Sequence, residues 1–284
     1  MPRIEIYGSS VEYHEQGSGT PVVLLHSSGS SGAQWRALAG RLATQYRVLT
    51  PDLIGYGGTS TWKARSGFCL AQEAALVRSL LGRLGEPAHL VGHSYGGAVA
   101  LHVARTRPEL VRSLTVIEPV AFHLLRDGDE IDGAALREIS EIATLVSVAV
   151  ERGDYGGGSG AFVDYWSGPG AWAAMPARTR AALASLLPKV ALDFHATINE
   201  PAGLEDMRDI AARTLILQGG CTAVPTRRIC KRLAGVLPAV HVKTIKGAGH
   251  MAPVTHRDEV NDLIVAYLDA NAAERRSAGA MLVA

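Results

Sequence analysis

Apolar residues recur along this chain in two rhythms, short continuous runs and longer stretches with an apolar residue every three or four positions. Arg3 to Tyr7 and Ser10 to His14 alternate polar and apolar residues about Gly8, which predicts an edge hairpin. Pro21 to His26 (PVVLLH) and Tyr46 to Thr50 are continuous apolar runs, the pattern of strands covered on both faces. His89 to Val91, Leu114 to Ile117, Thr214 to Gln218 and Val240 to Ile245 read as four more strands. Helical spacing marks Gln34 to Ala43, Leu70 to Leu84, Ala98 to Ala104, Thr226 to Leu237 and His256 to Leu268. Strands that alternate with helices in this way predict an α/β fold, a doubly wound and mostly parallel eight-stranded sheet.

The alternation breaks between Val120 and Glu200, where helices at Gly133 to Val150, Ala161 to Trp166 and Pro176 to Leu187 follow one another without a strand. The reading is one domain whose core is residues 1–119 and 201–284, with residues 120–200 inserted as a helical cap. Within the cap, the run DYGGGSG from Asp154 to Gly160 reads as a flexible joint. The tail from Asn271 onward is small and polar with a short apolar end, and is expected to fray.

Composition narrows the partners. With 47% hydrophobic residues in 284, the chain can bury a large core. A net charge of +1 with acids and bases intermixed argues against nucleic acid and anionic membrane surfaces. The start, MPRIEIYGSSVEYHEQG, lacks the apolar run of a signal peptide, and no stretch approaches the ~18 apolar residues of a membrane span. Cys69, Cys221 and Cys230 are odd in number and form no C-x-x-C pair, so a reduced, cytoplasmic setting without a cysteine metal site is expected. Composition thus leaves a small molecule, rather than nucleic acid or a membrane, as the kind of partner to look for, and says nothing of oligomeric state.

The chemistry gathers around His89 to Gly97, HLVGHSYGG. An apolar strand runs into Gly92-His93-Ser94-Tyr95-Gly96, a G-x-S-x-G pattern, and a helix follows. That context builds a sharp strand-to-helix turn that displays the serine at a helix N-terminus, where an oxyanion is favoured. Serine needs a base within reach. His250, in KGAGHMAP after the last strand, is the best candidate, since loops at the C-terminal ends of parallel strands gather at one rim. His93 reads as a packed residue of the turn and His256 as the start of a surface helix. The backbone N–H of Tyr95 is one expected oxyanion donor, and a second is expected from the loop after PVVLLH.

Taken together, LLHSSGS, PDLIGYGGTS, GHSYGG and GAGHMAP occur in an order that resembles the α/β-hydrolase fold superfamily, in its helical-lidded esterase and epoxide-hydrolase-like branch. The resemblance spans nearly the whole chain. It implies that Ser28 supplies the second oxyanion donor, although His26-Ser27 stands where the family has His-Gly. It gives Asp52 a structural role only. The family's acid commonly follows the strand after the insertion, and there this chain has Thr222, which carries no charge. Some members carry the acid one strand earlier, which points to Glu118 in LTVIEP. Glu205, Asp206 and Asp209 are the other candidates, and a dyad without an acid is the remaining one.

The resemblance also bears on the reaction. Epoxide hydrolases and haloalkane dehalogenases of this branch attack with aspartate, so Ser94 favours acyl chemistry, a serine ester hydrolase that needs no metal and no organic cofactor. Phe162, Tyr165, Trp166 and Trp172 in the cap are candidates to line a pocket for a small, mainly apolar ester, thioester or lactone. Two alternatives stand beside this reading. One is a carbon–carbon bond hydrolase of diketones, and the other is a ligand-binding protein with little turnover.

Overall fold

The computed structural model describes residues 3–6, 9–62 and 67–282. Tyr7 and Gly8, where the first strand was expected to end and turn, lie outside the described residues, as do Val283 and Ala284. Eight strands form one sheet: β1 (Arg3–Ile6), β2 (Ser9–Gln16), β3 (Pro21–Leu25), β4 (Arg47–Pro51), β5 (Ala88–His93), β6 (Val111–Ile117), β7 (Thr214–Gly219) and β8 (Val240–Ile245). Their order is β1-β2-β4-β3-β5-β6-β7-β8. β1 and β2 pair antiparallel, β2 joins β4 antiparallel, and the rest is parallel.

The continuous apolar runs are explained by cover on both faces. Along β3, Val23 and Leu25 join one core, with α2 (Leu70–Gly82) and α3 (Tyr95–Thr106), while Val22 and Leu24 join the other, with α1 (Arg36–Leu42). Helix α3 is buried along most of its length, which is why its sequence is almost wholly apolar or small. β8 differs, because it is an edge strand with His241, Val242, Lys243 and Thr244 exposed.

Between β6 and β7 lie α4 (Glu130–Arg152), α5 (Tyr155–Ser167), α6 (Ala171–Ala174), α7 (Ala177–Ser185) and α8 (Leu187–Ile198). One expectation is corrected by these helices. The glycine run is the start of α5, not a joint: Asp154 caps it by accepting from Gly157 N at 2.9 Å. A Cβ on Gly158 would lie 2.6 Å from both Ala149 and Leu187, so glycine there is the condition for close packing of α5 on α4 and α8. The helix expected from Pro176 to Leu187 is present as α7, and α8, which was not expected, follows it at a bend of 52°.

After β7, α9 (Val224–Val236) and α10 (Ala252–Thr255) lead to α11 (Arg257–Leu282). The expected fraying from Asn271 is not seen, for α11 continues to Leu282 and Asn271 Nδ2 donates to Tyr267 O at 2.8 Å. Among the described residues no single helix is long and apolar enough to cross a membrane, though α7 and α8 together reach that length and composition.

Register places the site. Leu25 pairs with Gly92, His93 with Ile117, Ile117 with Leu217, and Gly219 with Ile245. The ends of five parallel strands therefore share one rim, and Ser28, Ser94, Glu118, Thr222 and His250 each follow one of them.

Candidate active site

Ser94 sits between β5 and α3 with φ 55° and ψ −116°. Among the described residues only Ser94 and Glu118, at φ 49°, combine a positive φ with a side chain. Strain of this kind concentrates where a side chain must be aimed. The flanking glycines make the turn possible, since a Cβ on Gly92 would meet Gly96 O at 2.3 Å and one on Gly96 would meet Leu25 O at 2.5 Å.

His250 is buried and reaches both partners, with Nε2 2.9 Å from Ser94 Oγ and Nδ1 3.3 Å from Glu118 Oε2. The loops after β7 and β8 are pressed together, and a Cβ on Gly219 would lie 2.4 Å from Ala248 O. That contact brings Thr222 beside Glu118. Thr222 Oγ1 donates to Glu118 Oε2, and Gly219 N donates to Glu118 Oε1 at 2.6 Å. The position where the family carries its acid thus supplies a hydrogen bond to an acid from the neighbouring strand. Burial alone would raise the Glu118 carboxyl, but the hydrogen bond and charge of His250, with Thr222 and Gly219, together hold it below its usual range. Such a chain of contacts can draw a proton from the serine hydroxyl onto an imidazole that a carboxylate orients. Glu205, Asp206 and Asp209 lie in a helical turn before β7, and the hydrogen bonds of the His250 ring go to Ser94 and Glu118 instead.

His93, which reads in the sequence as a packed residue of the turn, makes more specific contacts. Its Nε2 donates to His250 O at 3.0 Å, which leaves Nδ1 to accept from Gln34 Nε2 at 3.1 Å. Gln34 Oε1 in turn accepts from Ser27 N at 3.1 Å and Ser27 Oγ at 3.0 Å. Burial and the nearby His250 lower His93 to about 3, so it stays neutral and holds this relay. Asp52 ties two loops, accepting from Gly32 N and Gly58 N, each at 2.8 Å.

A second buried cluster was missed altogether. Ser28 Oγ donates to Asp193 Oδ2 at 2.6 Å, and Tyr56 Oη donates to the same oxygen at 2.5 Å. Tyr95 Oη donates to Glu73 Oε2 at 3.1 Å, and Lys189 Nζ bridges Glu73 and Asp193. The Lys189 ammonium lies 4.6–4.7 Å from the ring centres of Tyr56, Phe68 and Tyr95. Burial pushes the Glu73 and Asp193 carboxyls up, against the pull of Lys189. The side chains of Ser28 and Tyr95 are thereby both anchored to one helix, α8. The available signal was Lys189 and Asp193 spaced i, i+4 on an otherwise apolar helix face.

A cavity of about 360 Å³ opens at Ser94 and His250, and an annex of about 20 Å³ also borders Ser94. Phe162 and Trp166 line both, and the Trp166 ring lies 3.9 Å from that of His250, centre to centre. Tyr165 and Trp172, expected beside them, line neither. On α5 the inward positions are Phe162, Val163 and Trp166, so Tyr165 turns aside and donates to Glu138 at 2.7 Å. Trp172 sits on α6, packed on Gly160 and under Arg180. Among the described residues no group of three or more His, Cys, Asp or Glu side chains is placed to hold a metal ion.

Residues 22–263 match the Alpha/beta hydrolase family, which is most of the chain. The chain belongs to that family. This alpha/beta hydrolase is 36% identical over 125 residues to the soluble epoxide hydrolase of Corynebacterium sp. (strain C12), a match covering 44% of this chain and 43% of that protein. It is 36% identical over 121 residues to the pimeloyl-[acyl-carrier protein] methyl ester esterase of Aeromonas salmonicida (strain A449), covering 42% and 45% respectively. The match thus spans less than half the length of either relative. Among solved structures, a thermophilic esterase from Thermogutta terrifontis superimposes with a TM-score of 0.77 at 21% identity, covering 95% of this chain and 99% of the esterase, a likeness of fold.

Proposed function

We propose that this alpha/beta hydrolase cleaves a small, mainly apolar carboxylic ester, thioester or lactone through an acyl-enzyme on Ser94. The observation that carries the reading is His250, held 2.9 Å from the Ser94 hydroxyl and 3.3 Å from the Glu118 carboxylate. His250 Nε2 takes the hydroxyl proton as Ser94 Oγ adds to the substrate carbonyl. The backbone N–H groups of Ser28 and Tyr95 receive the oxyanion, and their anchored side chains keep the loop and helix that carry those groups in place. His250 then gives the proton to the leaving group, and water repeats the sequence in reverse roles to free the acid. Glu118 keeps Nδ1 protonated and stabilises the imidazolium, while Thr222 and Gly219 keep Glu118 aimed.

The helices within residues 120–200 act as a lid in this scheme. Through α5 the lid brings Trp166 against His250 and helps shield the reacting atoms from water. Acyl transfer by this set of groups requires no metal and no organic cofactor. The epoxide hydrolase among the relatives does not redirect the proposal, since the turn here presents a serine, and a serine ester is the intermediate that water readily hydrolyses. Incubation with a fluorophosphonate probe tests the reading. Wild type should be labelled once, and Ser94→Ala should not. A well-folded wild type that takes up no label refutes it.

A further inference from the structure

The two spaces at Ser94 differ in size and in which reacting groups they touch. The larger, about 360 Å³, is lined by Ser94, Ser28 and His250, whereas the annex, about 20 Å³, is lined by Ser94, Ser28 and Tyr95 but not by His250. In an acyl transfer the group that protonates the departing oxygen must reach it. The leaving group therefore belongs on the side of His250, in the large cavity. The carbonyl oxygen belongs between the Ser28 and Tyr95 N–H groups, both of which line the annex, so the acyl chain shares that space and runs on toward Phe122 and Phe194.

We infer that this hydrolase is selective for acetyl-sized acyl groups on a much larger alcohol, and that Phe194 and Phe122 set the limit. The inference rests on the proposed serine mechanism and narrows its substrate class. A space of about 20 Å³ takes roughly one or two non-hydrogen atoms. About 360 Å³ falls in the range of sites for whole small molecules. Aromatic rings line the annex, with Phe122 and Phe194 stacked 6.1 Å apart and Phe162 edge-on to Phe194 at 6.1 Å.

The annex also offers an acyl group nothing polar to bind. Asp193 is occupied by Lys189, Ser28 and Tyr56, the Thr197 hydroxyl donates to Asp193 O at 2.8 Å, and Tyr95 Oη is engaged by Glu73. Nor can its wall retreat easily, because Phe194 follows Asp193 on α8, and Asp193 is tied to the core by that buried cluster. The reaction balances as ester hydrolysis. Ser94 Oγ bonds to the acetyl carbon as the ester C–O bond breaks, His250 passes the serine proton to the departing alcohol, and water then releases the acid and restores Ser94.

The test is a chain-length series, p-nitrophenyl acetate, butanoate and octanoate, repeated with 1-naphthyl acetate and octanoate. Acetate should exceed octanoate in kcat/KM by about tenfold or more in both series. Phe194→Ala, and the milder Phe194→Leu should the first not fold, should raise the octanoate-to-acetate ratio by about tenfold. Octanoate equal to or better than acetate in protein that fluorophosphonate labels overturns the inference and leaves the serine mechanism standing. An unchanged ratio in folded Phe194→Leu overturns the role of the annex wall. Absence of both label and turnover overturns the serine mechanism and this inference with it.

Discussion

Replacing Glu118 with glutamine changes one atom and should disable the site. Gly219 N points at Oε1 from 2.6 Å in a buried place, so the glutamine carbonyl oxygen is held there and its NH₂ replaces Oε2. That NH₂ then faces His250 Nδ1 and the Thr222 hydroxyl. As a donor, it makes Nδ1 an acceptor and puts the imidazole hydrogen on Nε2, toward Ser94, where it blocks proton abstraction. Loss of the acid from another serine triad costs about 10⁴ in kcat. Here the His250–Glu118 contact, at 3.3 Å, is longer than the ~2.8 Å of a tight charge-assisted bond, which favours the lower part of a 10³–10⁴ range. The expected loss is therefore about 4–5 kcal/mol of transition-state stabilisation. It is read as kcat on p-nitrophenyl acetate and as the rate of fluorophosphonate labelling, with a thermal melt to show that the variant is folded. A folded Glu118→Gln within about tenfold of wild type, ~1.4 kcal/mol, would falsify the assignment.

Other outcomes follow from the same contacts. Since Thr222 Oγ1 bonds to Glu118 Oε2, adding Thr222→Asp to Glu118→Gln returns a carboxylate to the neighbourhood of His250 and should recover about tenfold or more of the lost kcat; no recovery in a folded double variant means that a carboxylate there does not serve the base. His26, His93 and His123 are lowered from 6.5 to about 4, 3 and 4, chiefly by burial. The native state then binds fewer protons than the unfolded one, so stability present above pH 6.5 should be lost as pH falls toward 4, at up to about 4 kcal/mol per pH unit for three protons. Urea melts across that window check the slope, and a flat profile contradicts it. Lys189→Met leaves Glu73 and Asp193 buried without their cation and should cost about 3–5 kcal/mol in urea melts, with a smaller loss when Asp193→Asn is added. Equal stability of the single variant and wild type would show that the cluster does not hold α8.

What the sequence makes legible is what local pattern alone dictates. Strands such as PVVLL announce themselves because both faces are buried, and the glycines about Ser94 do so because no Cβ fits there. Glu118 is legible as a candidate from its place at a strand end. The hydroxyl that aims it is not, since Thr222 reads as a missing acid until the loops after β7 and β8 are seen in contact. The glycine run before Phe162 reads as a joint by propensity, and close helix packing at Gly158 overrides that propensity. Helix α8 was lost because Lys189 and Asp193 break its apolar pattern. Their burial is made possible by Glu73, 116 residues from Lys189 in the chain, and by the rings of Tyr56 and Tyr95. The aromatic residues of α5 and α6 could be picked out as a group, but which of them face Ser94 depends on the phase of α5 against the core.

A covalent intermediate on Ser94 is the claim on which the rest depends. Rapid acid quench during turnover of p-nitrophenyl acetate, followed by mass spectrometry of the peptide that contains Ser94, reads it directly. One acetyl group on Ser94 is expected, formed in a burst of nitrophenol and absent from Ser94→Ala. Steady turnover with no acetyl on any residue, or with the acetyl on His250 alone, would contradict it.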